Sequence, residues 1–86
     1  MDTPHPDQAL VTSQQLGQLL RASRKHRQLT QAAVAVRLGL SQNRLSYLER
    51  HPDEISFRQL LAWCPIVGLQ LRLGERASAP TTDTEW

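Results

Sequence analysis

Apolar positions recur at helical spacing through most of the chain, and each recurrence starts behind a capping residue. In "VTSQQL", Thr12 is a good N-cap, Gln15 stands three residues later to complete a capping box, and Val11 with Leu16 fits a hydrophobic staple. Leu16, Leu19, Leu20 and Ser23 mark one face, which predicts a helix over 13–27. Leu29, Thr30 and Val34 repeat the staple-and-cap arrangement for a second helix, which should stop at Gly39. Leu40, Ser41 and Leu45 repeat it for a third, ending before Pro52. Ile55, Ser56, Gln59 and Leu60 give staple and capping box for a fourth. Pro65 lies inside that last pattern and should kink or shorten the helix.

After Gly68 the period changes. "LQLRL" alternates with period two and reads as a strand over 69–73. No other strand signal exists, so its backbone edges and its row Leu69, Leu71, Leu73 lack a partner within the chain. Two readings stand. A second copy pairs the strand in an intersubunit two-stranded sheet, or the segment is a loop packed on its own domain. The first is the simpler remedy and predicts a homodimer. The fold class expected is therefore all-α, with four to five helices and one C-terminal dimerisation strand. Residues 1–11 are Pro-rich and polar and are expected to be a flexible N-terminus. Residues 12–68 form the helical domain, and 74–86, small and polar, form a tail expected to be disordered.

Composition narrows the class. Eighty-six residues make one small domain with a modest core. Cys64 is the only cysteine, so no disulfide framework exists within one chain and a reducing compartment is expected. No apolar run approaches ~18 residues, and "MDTPHPDQ" has no signal-peptide character, so the expected location is the cytoplasm. His5, His26 and His51 have no metal-ligand spacing, and no catalytic or phosphate-loop pattern is present; no enzyme, metal or cofactor is expected.

The net charge is +2, but it is uneven. Residues 12–50 hold Arg21, Arg24, Lys25, Arg27, Arg37, Arg44 and Arg50 against the single acid Glu49. An anionic partner fits this half, nucleic acid before others; a solvated basic face is the plainer alternative. The second and third helices decide between them. Ala32, Ala33, Ala35 and Val36 allow close helix approach, and the Gly39 break with the Ser41 cap fits a tight helix-turn-helix. With Leu45 and Leu48 inward, ~100° per residue turns Asn43, Ser46, Tyr47 and Arg50 outward and puts Gln42 and Arg44 on the flanks. These residue types read base edges in a major groove. The starts of the helices at Thr30 and Ser41 offer backbone N–H groups to phosphates. Tyr47 has two open roles, a contact to a phosphate or a thymine methyl, or a cover over the dimer surface.

"LTQAAVAVRLGLSQNRLSYLE" resembles the phage-repressor-like helix-turn-helix family, the XRE or Cro/C1 type with a lambda-repressor-like fold. Thr30–Gln31, Ala35, Gly39, Ser41, Leu45–Ser46, Glu49 and the upstream Arg24 carry the likeness. It implies that Gln31 contacts DNA, that Gln42, Asn43 and Arg44 open the recognition helix, and that Arg24 pairs with Glu49. Gln28 stands where glycine is common, and "ERHPD" lacks the glycine that often follows the glutamate; both departures concern turns. More narrowly, "ERHPDEISFRQLLAWCPIVGLQLRL" and the ending "EW" resemble the HipB antitoxins. That resemblance implies a repressor of its own toxin–antitoxin operon, a HipA-like serine/threonine kinase toxin as partner, and a nucleoid-associated bacterial protein. It makes Glu85 and Trp86 a partner anchor and Leu69–Leu73 the dimer strand. A stand-alone repressor with the same DNA-binding end and no toxin partner is the alternative.

Overall fold

In the computed structural model, residues 7–76 are described, and they form an all-helical domain. Helix α1 spans Ser13–His26, α2 Gln31–Leu38, α3 Gln42–Arg50 and α4 Phe57–Ile66, with a short 3₁₀ turn at Pro52–Glu54 between the last two. Every α-helix starts on the expected cap. Thr12, Thr30, Ser41 and Ser56 each accept a backbone N–H three residues ahead, from Gln15, Ala33, Arg44 and Gln59. Both capping boxes form, with the Gln15 and Gln59 side chains accepting back from Thr12 and Ser56. The first staple does not bury its outer residue. Val11 remains 82% exposed, and its N–H is donated to the Gln15 side chain at 2.7 Å. Polar capping holds the entry of α1 where an apolar contact was expected.

Three helix ends share one device. At each, the residue after the last turn is left-handed, and two successive N–H groups turn back onto carbonyls of the helix. Leu29 donates to Arg24 O, Leu40 to Ala35 O, and Leu69 to Cys64 O, at 3.0, 2.9 and 2.7 Å. Glycine fills the left-handed position after α2 and α4, Gly39 at φ 70° and Gly68 at φ 81°. Gln28 fills it after α1 at φ 60°, with a Cβ that glycine lacks. Pro65 lies in the last turn of α4, which ends one residue later at Ile66; it has no N–H to donate to the Leu61 carbonyl.

The core is built from Leu20, Val34, Ala35, Leu45, Leu48, Trp63 and Val67, all buried, so every α-helix sends residues to one centre. Helix α3 packs against both α1 and α2, and α2 also touches α4. Gly17 permits a close backbone approach between α1 and the end of α3. A Cβ there would lie 2.7 Å from Glu49 O and 2.9 Å from Pro52 Cγ, so the bare backbone of α1 seats the end of α3 and the 3₁₀ turn. Cys64 is buried, and burial raises its thiol pKa, which suits a packing role.

Among the described residues there is no strand. Leu69–Leu73 follows α4 without regular secondary structure in the single chain. Leu69 and Leu71 are partly buried, whereas Leu73 is 97% exposed. Pairing of a strand requires a partner edge, and the described residues supply none.

Candidate nucleic-acid interface

The interface begins with an internal ion pair. Glu49 is 3% exposed and Arg24 7%. Arg24 donates from Nε and Nη2 to the two Glu49 oxygens at 2.7 and 3.1 Å, a bidentate fork. Its Nη1 donates to the Leu29 carbonyl at 3.1 Å, so the same guanidinium holds the loop into α2. Glu49 also accepts from the Gln31 side-chain amide at 3.0 Å. One carboxylate near the end of α3 thereby fixes α1, the loop and the first residue of α2. The bridge forms as the family resemblance implied. The hold on Gln31 was not read from the sequence, because residues 18 apart meet only when two helices pack.

The electrostatic result is one-sided. The only carboxylate among residues 12–50 is internal, while Arg21, Lys25, Arg27, Arg37, Arg44 and Arg50 are all exposed. That half of the molecule shows solvent a surface of cations and amides, the footprint expected for a polyanion.

The proposed readers divide into two groups. Gln42, Asn43 and Arg44 form the first turn of α3 and are exposed, as the helical projection predicts. Thr30 and Ser41 are exposed, but their hydroxyls already cap α2 and α3 at 3.0 Å each. What they leave to a phosphate are the first-turn amides that helix geometry gives no intrahelical partner. Gln31 is partly buried and oriented by Glu49. Ser46 is partly buried, less open than the projection predicts.

Tyr47 differs most. Its ring packs at the edge of the core rather than pointing freely outward. Its hydroxyl donates to Glu54 at 2.6 Å, and its ring stacks on His51 with centroids 4.1 Å apart and planes at 19°. The hydrogen bond to Glu54 is the main cause that raises the phenol pKa above its ordinary value. Arg44 lies over the same ring, its guanidinium carbon 5.2 Å from the centroid. Glu54 was missed in the sequence because it belongs to the 3₁₀ turn outside the recognition helix; Tyr47 at one end and a Pro-initiated turn at the other were the only hints. Glu85 and Trp86, the expected partner contacts, lie outside the described residues.

The arrangement is that of a helix with an exposed polar first turn, braced by a second helix, with exposed cations beside it. A family model for a helix-turn-helix domain matches residues 15–77. The chain belongs to the helix-turn-helix family. Its DNA-binding character follows from that membership, and the geometry above gives it a physical basis. The fold is also that of a chain in the solved HipA-HipB-O2-O3 complex: TM-score 0.73 and 21% identity, over 83% of this chain and 100% of that one. No curated protein matches the chain. Among the described residues, no helix is long and apolar enough to cross a membrane. No group of three His, Cys, Asp or Glu side chains among them is placed to hold a metal ion.

Proposed function

We propose that this helix-turn-helix protein is a sequence-specific repressor and the antitoxin of a toxin–antitoxin pair, non-enzymatic and cytoplasmic. Gln42, Asn43 and Arg44 read base edges in a major groove, assisted by Gln31, Ser46 and Tyr47, while the starts of α2 and α3 at Thr30 and Ser41 bind phosphates. Two copies join through Leu69, Leu71 and Leu73 and set two α3 helices on a pseudo-palindromic operator, about one helical turn apart or a multiple of it. The observation that carries the DNA role is the exposed first turn of α3, within a stretch, residues 12–50, whose single carboxylate is internal.

The partner is a HipA-like serine/threonine kinase, held by the tail through Glu85 and Trp86. What supports this is the shared fold with a chain solved in a HipA-HipB-O2-O3 complex, beside Trp86 in a small, polar stretch of sequence. A tryptophan on a polar tail is a common kind of interface anchor.

One experiment tests both parts. The N-terminally tagged protein is purified from its host beside a form lacking Trp86. A co-purifying kinase that fades from the truncated form is the expected result. A kinase bound equally by both would move the contact to the folded body. Capture of DNA alone would leave a stand-alone repressor. DNA affinity should fall steeply with salt as phosphate contacts release counterions.

A further inference from the structure

We propose that Tyr47, held by Glu54 and His51, is a positioning residue that pre-aims Arg44, and so sets the sharpness with which one base is read. This rests on the DNA-reading proposal above and deepens it. Arg44 is the third residue of α3, where side chains meet base edges, yet it is exposed and carries four flexible side-chain bonds. A bidentate contact needs the planar guanidinium held in one orientation. The Tyr47 ring provides that support, since its face attracts the guanidinium at 5.2 Å.

The ring in turn is fixed from outside the helix. Its hydroxyl is bound to a carboxylate by a short, charge-assisted bond of 2.6 Å. Its other neighbour, the His51 ring, lies nearly parallel, and the His51 Nδ1 is 3.0 Å from the Tyr47 carbonyl oxygen. Glu54 is anchored through its own backbone. It ends the 3₁₀ turn that starts on buried Pro52, and its N–H donates to His51 O at 2.9 Å. The order thus passes from a buried proline through a turn to a carboxylate, a phenol and a guanidinium. A carboxylate so near a DNA-facing arginine opposes phosphate binding in general. Glu54 therefore lowers affinity for any duplex while raising the advantage of the right one, a split that a purely structural residue does not produce.

The test uses the full chain and duplexes selected from a random pool by the unaltered protein. Affinities are measured for the selected site, for single-base variants of it and for random duplex, with Arg44→Ala locating the base that Arg44 reads. At that base, Tyr47→Leu and Glu54→Ala should lower discrimination about two- to fivefold, the scale of an exposed cation–ring contact. Glu54→Ala should also bind random duplex more tightly than the unaltered protein. Glu54 is exposed, so its truncation removes no buried packing and keeps the test open where Tyr47→Leu does not fold. Unchanged discrimination in Glu54→Ala, at a base that Arg44→Ala does relax, overturns the proposal. An Arg44→Ala protein with full discrimination overturns it too, and leaves DNA reading by other residues intact. A protein that selects no sequence from the pool sinks the DNA-reading proposal and this one together.

Discussion

The α1–α3 region and the segment after α4 are unequal halves of one small domain. In the first, the described bonds close within the chain. Arg24 and Glu49 satisfy each other, each helix start is capped, and Gly17 lets two backbones meet. In the second, apolar surface is left over. Leu73 is almost wholly exposed, and Leu61, Cys64, Pro65, Leu69, Gln70 and Leu71 line an open apolar hollow of 360 Å³. The difference teaches that the helix-turn-helix half is shaped by internal bonding, whereas the other half leaves apolar surface open.

The strongest way to break this contrast is at the ion pair. Glu49→Ala leaves the Arg24 guanidinium buried without its carboxylate, which should cost about 3–5 kcal/mol in chemical denaturation. Stabilities of small domains are themselves only about 5–15 kcal/mol, so this variant is expected to be largely unfolded near physiological temperature. Gly17→Ala tests the backbone contact. Alanine is the better helix former by about 1 kcal/mol, but its Cβ would strike Glu49 O and Pro52. Overpacking against backbone should prevail, for a net loss of about 1–2 kcal/mol. A gain in stability would show that α1 and α3 are free to separate.

Smaller effects sharpen the same comparison from the other side. Leu73→Lys removes no buried contact in the single chain, so its folding stability should stay within about 0.5 kcal/mol. Self-association, followed by sedimentation, should weaken, and operator affinity should fall with it. Dimers of unchanged strength would exclude Leu73 from the interface. Gln28→Gly should raise stability by about 0.5 kcal/mol, as relief of a left-handed non-glycine exceeds the added chain entropy. A thermal melt checks it, and a loss would mean that the Gln28 side chain contributes more than its strain costs.

Helix positions were legible because their signals are local. Caps, staples and the glycine stops each lie within a few residues of what they determine, and α2, α3 and α4 begin where Thr30, Ser41 and Ser56 predict. The exposure of Gln42, Asn43 and Arg44 follows from the same periodicity. Local signals failed where two elements meet. Tyr47 projects outward on a bare helical wheel, but its ring packs at the edge of the core and its hydroxyl is bound by Glu54 of the 3₁₀ turn. Val11 fits a staple by spacing and yet stays in solvent. The odd Gln28 was visible as a departure in a turn, and the left-handed backbone shows which kind of turn it is.

The sequence by itself determined the helix order, the cationic first half, the solitary Glu49 and the leucine row after Gly68. Each is a matter of spacing or of composition, readable without any fold. Only the tertiary structure decided that Glu49 is internal and shared by Arg24 and Gln31, that Gly17 is a contact point, and that Tyr47 links Arg44 to Glu54 and His51. The physical reason is range. Caps and periodicity act over three or four residues, whereas burial of a charge or the seating of one backbone on another depends on elements that meet only after the chain has packed.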